Sequence, residues 1–213
     1  MEGPYRDLGA GFARLAGTEG LRRAPVPLRY VEDALFELLR NSRDAGASNI
    51  YVASTLKARR YRSLTVIDDG RGIPESHLHL IFDPGVTTRH LAPVPEPTGP
   101  TTATTRPAPH GAGLSLHHIK QAAVSTDVLS AAAPTSIRAV FDTRHGLPER
   151  SLQSTPGPAG SNFLAVLASF PQPDPPLNLY HGSPASILSS ITNSHIIQVK
   201  EGSAAGLRER AGF

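Results

Sequence analysis

Residues 66–74 read VIDDGRGIP, in which a short β-rich run ends in two aspartates followed by two glycines one residue apart. Glycines at this spacing permit a tight turn whose backbone can approach a flat ligand closely. A carboxylate at the end of the strand accepts hydrogen bonds, so Asp68 could read the exocyclic amine of an adenine. The same residues are also typical of an ordinary turn between two elements. Taken alone, the segment leaves both interpretations open.

The chain upstream predicts a helix with a polar stripe. Apolar residues recur at helical spacing over residues 30–45, and Gly46 supplies a stop signal. Glu37, Asn41 and Asp44 are spaced i, i+4 and i+7, so they project from one face of this helix. Such a stripe is typical of a solvated helix face as well as of a binding site. The choice between the two needs evidence from elsewhere in the chain.

A second glycine-containing segment, residues 110–116 with the sequence HGAGLSL, opens a helix predicted over 110–123. Glycines leave backbone N–H groups uncovered at a helix N-terminus, where the unpaired donors and the macrodipole attract phosphate oxygens. The segment lacks the Lys-Ser/Thr ending of a P-loop and follows no strand of a βαβ unit. Neither a P-loop nor a Rossmann site is therefore supported.

The remaining regular elements are mostly short strands. The pattern predicts paired strands over 50–56 and 63–67 with a basic turn between them, a short helix over 75–81, and further strands over 124–129, 136–141 and 162–170. We expect an α+β two-layer sandwich, with a mixed, mainly antiparallel sheet covered by helices on one face.

Three segments differ from this pattern. Residues 1–29 predict an irregular or weakly helical arm. Residues 83–110 consist mainly of Pro, Thr and Gly, so we expect a mobile loop that forms either a lid or a disordered insertion. Residues 171–213 predict a linker and, from residue 177, a polar appendage. The main domain is thus expected over residues 30–170.

Composition excludes several classes of function. The 213 residues include no cysteine, which excludes disulfides, thiolate zinc sites and a cysteine nucleophile. No apolar run reaches the about 18 residues of a membrane span, and we expect a cytoplasmic protein. The net charge of +3 comes mainly from scattered arginines. The clusters at 22–23 and 59–62 lack the interleaved aromatics of a single-strand binding surface, so nucleic-acid binding is disfavoured.

Taken together, in order and spacing, the motifs resemble those of the Bergerat (GHKL) superfamily of ATP-binding domains, which includes gyrase, heat-shock chaperones, histidine kinases and MutL. Residues 36–47 resemble the N box in its MutL and type II topoisomerase form, and residues 66–74 resemble the G1 box. Residues 81–89 are similar to the F box of histidine kinases, and residues 111–116 to their G2 box. Gly160-Ser161 resembles the late Gly-Thr element more weakly, and the resemblance spans about residues 30–170.

This resemblance implies ATP and Mg²⁺ as cofactors. Asn41 would coordinate the metal, and Asp44 would support this network through water or Mg²⁺. Asp68 would bind the adenine amine, and Gly72 would let the base lie against the backbone. The neighbouring residues of the same loop would complete the base site, namely Gly70 and Ile73.

The phosphates would lie against the second glycine segment and the lid. The glycines Gly111 and Gly113 would wrap them, with Leu114 at the start of the helix. Thr87 and Thr88 are candidate lid contacts. Glu37 matches the general base that activates water in the hydrolytic branches.

Three functions remain open at this point. The first is a Mg²⁺-dependent ATPase or ATP-driven conformational switch, as the N box implies. The second is a histidine-kinase-type ATP-binding domain acting on a separate protein, as the F and G2 boxes imply. The third is a nucleotide-sensing module without turnover. A protein partner or a homodimer is expected in each case, with no role at a membrane.

Two other residue types have less support. Lys200 is the single late lysine that could reach a γ-phosphate, and this role is disfavoured. His110 adjoins the phosphate segment and is a candidate contact. The other histidines of the helical regions are expected at the surface rather than as metal ligands, namely His77, His79, His117 and His118.

Overall fold

The computed structural model of the protein describes residues 5–9, 12–15, 28–87, 113–150 and 162–193. The described elements, in chain order, are β1 Tyr5–Gly9, β2 Phe12–Leu15, α1 Val31–Asp44, β3 Asn49–Lys57, β4 Tyr61–Asp68, a short 3-10 helix Glu75–His77, β5 Val86–Thr87, α2 Ser115–Ala122, β6 Ser125–Ser130, β7 Thr135–Asp142, α3 Asn162–Ser169, β8 Asn178–Gly182 and α4 Pro184–Asn193. Across these ranges, no helix is long and apolar enough to span a membrane.

The central sheet has five strands in the order β6-β7-β4-β3-β8. The pairs β6–β7, β7–β4 and β4–β3 are antiparallel, whereas the pair β3–β8 is parallel. The predicted hairpin is present, with its basic turn between β3 and β4. These pairings confirm the α+β fold with a mixed, mainly antiparallel sheet.

Helices α1, α2 and α3 cover one face of this sheet. Their buried side chains include Leu35 and Leu39 from α1, Ile119 from α2 and Phe163 from α3, and they share one apolar core with strand residues such as Val66. Because the apolar residues of α1 occupy this core, its polar stripe faces away from the sheet's centre. The helix lies where its periodicity predicts it, over residues 31–44.

The predicted strand over residues 162–170 is wrong, because this segment forms the helix α3. The buried residues Phe163, Val166 and Phe170 recur at helical spacing, while Leu164 between them is 53% exposed. The ring of Phe170 also packs against Phe36 of α1, with 5.3 Å between centroids. A short apolar run with a β-branched residue fits both element types, and packing against α1 selects the helix here.

The predicted polar appendage is also wrong for residues 178–193. Strand β8 extends the sheet beside β3, and α4 packs on the sheet face opposite to α1. Ile187 and Ile191 of α4 are buried against Tyr51 and Ile67 of the sheet. Helices therefore cover both faces, not one. The two isoleucines are spaced i, i+4 and form a narrow apolar stripe on α4. The serines around them make the segment look polar in the sequence.

The predicted irregular arm differs from the structure as well. Residues 5–9 and 12–15 form antiparallel strands, and β2 continues the pairing to β5 through Ala13 and Thr87. This three-stranded sheet, in the order β1-β2-β5, lies beside the segment that follows the 3-10 helix. Long-range pairing to β5 supplies the partner that the local sequence does not reveal.

Candidate functional site

A cavity of about 380 Å³ lies between α1, the ends of β4 and β7, and the start of α2. Its volume is in the range of small-molecule sites. It is lined by most of the residues singled out from the sequence, namely Glu37, Asn41, Asp44, Asp68, Gly72, Ile73, Thr87 and Gly113. Gly70 and Leu114 are not among the lining residues but adjoin them in the sequence. Thr88, Gly111, His110 and Lys200 lie outside the described residues. Elements distant in sequence thus supply one site.

Asp68 is the buried carboxylate of this cavity. It ends β4 with 6% of its surface exposed. Its Oδ2 accepts a hydrogen bond of 2.9 Å from the Ser42 hydroxyl, and its Oδ1 accepts one of 3.0 Å from the Gly70 N–H. Burial raises the pKa of the Asp68 carboxyl above its ordinary value, and these two hydrogen bonds offset part of the rise. The site therefore holds a fixed acceptor in mainly apolar surroundings.

The carboxylate of the next residue, Asp69, stabilises the fold. Its Oδ1 accepts hydrogen bonds from the backbone N–H groups of Ser48 and Asn49, at 2.7 and 2.8 Å. Its Oδ2 accepts another from the Asn49 side chain at 2.8 Å. These bonds join the start of β3 to the end of β4. The aspartate doublet is thus divided between a cavity residue and a structural one.

The loop after the doublet forms a backbone wall of the cavity. Gly72 has φ +79°, and a Cβ at this position would lie 2.9 Å from the Ala131 carbonyl oxygen. The next residue, Ile73, donates its N–H to the same oxygen at 2.7 Å. Only glycine fits this left-handed conformation and close contact without strain. The loop is thereby fixed against the β6–β7 connection.

Arg71 anchors the same loop to α1. Its guanidinium donates to the Asp44 carbonyl at 2.7 Å and to the Ala45 carbonyl at 3.3 Å. A cation at this end of a helix satisfies carbonyl groups that lack intrahelical partners and interacts favourably with the helix dipole. The anchor holds the loop and the polar stripe of α1 on the same side of the cavity.

Glu37 also lines the cavity and contacts two side chains. Arg40 donates to its Oε1 at 2.9 Å, and the Ser115 hydroxyl donates to its Oε2. Ser115 is the first residue of α2, so this contact joins the polar stripe of α1 to the second glycine segment. Both carboxylate oxygens of Glu37 therefore have a partner in this conformation.

Asn41 lies between Glu37 and Asp44 along α1 and lines the cavity. Its Nδ2 is buried and has no hydrogen-bond partner within the described part of the chain. A buried amide that lacks a partner costs about 1–3 kcal/mol, and such groups are commonly satisfied by water or a ligand. The position therefore fits a polar ligand, and the amide oxygen of Asn41 is of the type that Mg²⁺ prefers.

The start of α2 is held against β5. Gly113 has φ +67°, and a Cβ there would lie 2.7 Å from the Val86 carbonyl oxygen. Its own carbonyl accepts the Gly85 N–H at 2.9 Å. Leu114 follows as the N-cap residue, and no described side chain caps this end of the helix. The first N–H groups of α2 can therefore serve another acceptor.

Three residues around the cavity carry no recognisable sequence signal. Phe12 reaches it from β2, and Thr135 reaches it from β7, where it pairs with Asp68. His77 is predicted at the surface but is buried, stacked on Phe12 with 4.6 Å between ring centroids. The position of Thr135 depends on the register of β7 against β4. Phe12 depends on long-range packing alone.

Part of the chain is similar to a known protein family. Residues 29–98 match a family described as histidine kinase-, DNA gyrase B-, and HSP90-like ATPase. Eight chains of solved structures match, and one of them is a mycobacterial sensor histidine kinase, MprB, with 20% identity and a TM-score of 0.32, covering 64% of this chain and 77% of that one. No curated protein matches the sequence. Residues 29–98 are thus similar to the ATPases of the Bergerat, or GHKL, superfamily.

Proposed function

We propose that this protein binds Mg·ATP and acts as an ATP-driven conformational switch whose ATP hydrolysis depends on Glu37. The observation that carries the proposal is the pair formed by the Asp68 carboxylate and the Asn41 amide. Both line one cavity, the first as a buried acceptor and the second with a buried nitrogen that lacks a partner within the described residues. Polar groups of this kind at two points of a mainly apolar cavity suit a ligand with a heterocyclic and a charged end.

The adenine end of the ligand is assigned to Asp68. Ser42 and Gly70 hold its carboxylate in place, so that its remaining lone pairs can accept the exocyclic amine. The backbone of Gly72 and Ile73 gives a flat wall beside it. Because Asp68 is buried, a hydrogen bond there competes little with water.

The phosphate end is assigned to Asn41 and the start of α2. Asn41 would hold Mg²⁺, supported by Asp44, which also lines the cavity. When bound, Mg²⁺ neutralises charge on the phosphate oxygens. Gly113 and Leu114 place the uncapped N–H groups of α2 at this end. By sequence, Gly111 and Thr88 would complete the set.

Glu37 is assigned as the group that accepts a proton from the attacking water. Its Oε1 is held by Arg40, and its Oε2 accepts from Ser115. A water can approach Oε2 as Ser115 moves away, so the start of α2 would connect phosphate binding to the base. Ser115 would thus couple occupancy of the cavity to hydrolysis.

Phosphotransfer to a separate protein is the second candidate function. It is favoured by the partners on both oxygens of Glu37, because Arg40 and Ser115 compete with an attacking water for this carboxylate in this conformation. The kinase-like residues 81–89 and 111–116 support it too. Either function needs a protein partner or a second copy of the chain, and we place both functions in the cytoplasm.

We also propose that the ATP-binding domain extends from residue 30 to residue 193. The parallel pairing of β8 with β3 and the burial of Ile187 support this extension. The strands β1 and β2 are attached to the same domain through β5.

Calorimetric titration with ATP, with and without Mg²⁺, tests the proposal, together with release of phosphate. We expect saturable binding that Mg²⁺ strengthens, and a measurable rate of phosphate release. GTP serves as the control ligand, because its carbonyl at the corresponding position offers Asp68 no donor. Equal affinity for GTP and ATP would contradict the adenine assignment. Binding without release, together with phosphorylation of a histidine on a partner, would select the second function.

A further inference from the structure

Phe12 is the one aromatic side chain among the described residues that line the cavity. It comes from β2, outside the segment that matches the ATPase family and outside the domain predicted from the sequence. It is only 6% exposed, so it is part of the wall rather than a surface residue near its rim. The N-terminal strands therefore contribute directly to the cavity.

The position of Phe12 is fixed by a second aromatic ring. The ring stacks on the imidazole of His77, with 4.6 Å between centroids and 21° between planes. The Nε2 of His77 lies 3.2 Å from the Leu8 carbonyl oxygen, and its Nδ1 lies 2.8 Å from the Ser76 hydroxyl. His77 thus contacts both N-terminal strands, β1 through Leu8 and β2 through Phe12.

Two further contacts attach the N-terminal strands to the segment that carries Thr87. Strand β2 pairs with β5, where Arg14 lies opposite Val86. The guanidinium of Arg14 also forms an ion pair of 2.7 Å with Asp83. Both partners of this pair are about two-fifths exposed, so its own contribution to stability is small. The position of the ion pair is more important than its energy, because the pair holds β2 next to β5, a strand that lines the cavity.

The neighbours of Phe12 indicate which part of a ligand it meets. The ring belongs to an apolar cluster with Ile81 and Val86, and Ile73 packs against the same cluster. Ile73 follows Gly72 in the backbone wall assigned to adenine. The phenyl ring has no hydrogen-bond donor for phosphate, whereas apolar and aromatic faces bind nucleobases by stacking.

We propose that Phe12 contacts the nucleoside part of the bound nucleotide, and that docking of strands β1 and β2 is therefore coupled to nucleotide binding. The proposal rests on the ATP-binding function proposed above. Coupling of this kind is reciprocal: nucleotide stabilises the docked strands by the same factor by which the docked strands strengthen nucleotide binding. A segment attached to β1 would then respond to nucleotide occupancy.

The first experiment compares ATP, ADP and AMP binding to the wild type and to Phe12→Ala by calorimetry. We expect affinity to fall about tenfold, by a similar factor for all three ligands, because the lost contact is to their common nucleoside. Phe12→Leu keeps an apolar packing group and loses only the aromatic face. It is the variant to use if Phe12→Ala melts at a lower temperature, and we expect it to show the same pattern with a smaller loss.

The second experiment separates docking of the strands from direct contact. Arg14→Ala removes the ion pair to Asp83 without removing a cavity residue, and Arg6→Ala is its control. Arg6 lies opposite Arg14 in the β1–β2 pair and is exposed. We expect Arg14→Ala to weaken ADP binding by about two- to threefold and Arg6→Ala to leave it unchanged. Saturating ADP should slow amide hydrogen exchange in residues 12–14.

The outcomes distinguish this proposal from the proposed function. If Phe12→Ala and Phe12→Leu bind ADP like the wild type while Asp68→Ala does not, the role of Phe12 is refuted and the ATP site stands. If exchange in residues 12–14 is the same with and without ADP, the coupling is refuted. If the wild type binds none of the three nucleotides, both proposals are wrong.

Discussion

The hydroxyl of Ser42 donates a hydrogen bond of 2.9 Å to the buried carboxylate of Asp68. This bond connects the polar side of α1 to the end of β4, two elements separated by the whole of β3. It also orients the carboxylate, since the Gly70 N–H binds the other oxygen. The polar stripe of α1 and Asp68 of β4 therefore line one cavity, so the two sequence motifs are parts of the same candidate site.

Asp68→Asn should weaken ATP binding by about ten- to a hundredfold, because a charge-assisted hydrogen bond contributes about 1.5–3 kcal/mol. Calorimetric titration measures the loss. Asp69→Asn is the matched control, since its carboxylate binds backbone groups of Ser48 and Asn49 instead. It should lower the melting temperature and leave affinity nearly unchanged. If Asp68→Asn bound ATP as tightly as the wild type does, this result would contradict the adenine assignment.

The pH dependence of stability and that of binding should oppose each other. Burial raises the pKa of Asp68, so the folded state favours the protonated carboxyl. Its favourable contribution to stability is present below the unfolded pKa and is lost as pH rises through the higher, folded value. ATP needs the ionised acceptor, so its affinity should rise over the same interval. Melting temperature and affinity, measured from about pH 4 to 8, should both depend less on pH in Asp68→Asn.

Asn41→Ala should abolish most of the effect of Mg²⁺ on ATP affinity, because it removes the oxygen assigned to the metal. The substitution should also remove the free-energy cost of burying the amide nitrogen, which has no partner among the described residues. The free energy of unfolding of the nucleotide-free protein should therefore not fall in proportion to the loss of binding. Titrations with Mg²⁺ and with EDTA give the difference. Asn178→Ala, at the exposed edge of β8, is the control. An undiminished Mg²⁺ effect in Asn41→Ala would exclude the residue as a ligand.

Glu37→Gln should leave Mg·ATP binding nearly intact and lower the rate of phosphate release by about 10²–10⁴-fold, the usual contribution of a general base. Glutamine is isosteric and can still accept from Ser115, so the contact to α2 is preserved. Ser115→Ala tests the other half of the contact and should raise turnover, because it removes the hydroxyl that competes with water for Oε2. Phosphate release at the wild-type rate in Glu37→Gln would remove the hydrolase assignment and favour the kinase or sensor.

Ile187→Ala should destabilise the whole domain by about 2–5 kcal/mol, because a fully buried isoleucine is replaced by a cavity. Ile187 is 1% exposed and packs between α4 and the sheet. Denaturant unfolding followed by circular dichroism measures the loss. Leu164→Ala, with a side chain 53% exposed on α3, should change stability little. Equal stability of both variants would mean that residues 178–193 are not part of the folded unit.

The elements that the sequence predicts correctly are those with a strong local period. Helix α1 and the hairpin of β3 and β4 lie within a few residues of their predicted bounds, because apolar spacing fixes which face each element buries. Helix α3 fails this test. Its short apolar run fits a strand or a helix equally well, and only contact with Phe36 and the α1 core decides between them.

The sequence by itself determined the order of the motifs and their resemblance to one superfamily of ATP-binding domains, since spacing and residue type along α1, β4 and the start of α2 are local properties. The tertiary structure alone decided that Asp69 binds the backbone of Ser48 and Asn49, because these bonds depend on how the end of β4 lies against the start of β3. It alone brought Phe12 into the cavity and β8 to the sheet edge. These contacts form between segments far apart in the chain, and no local pattern encodes the partner.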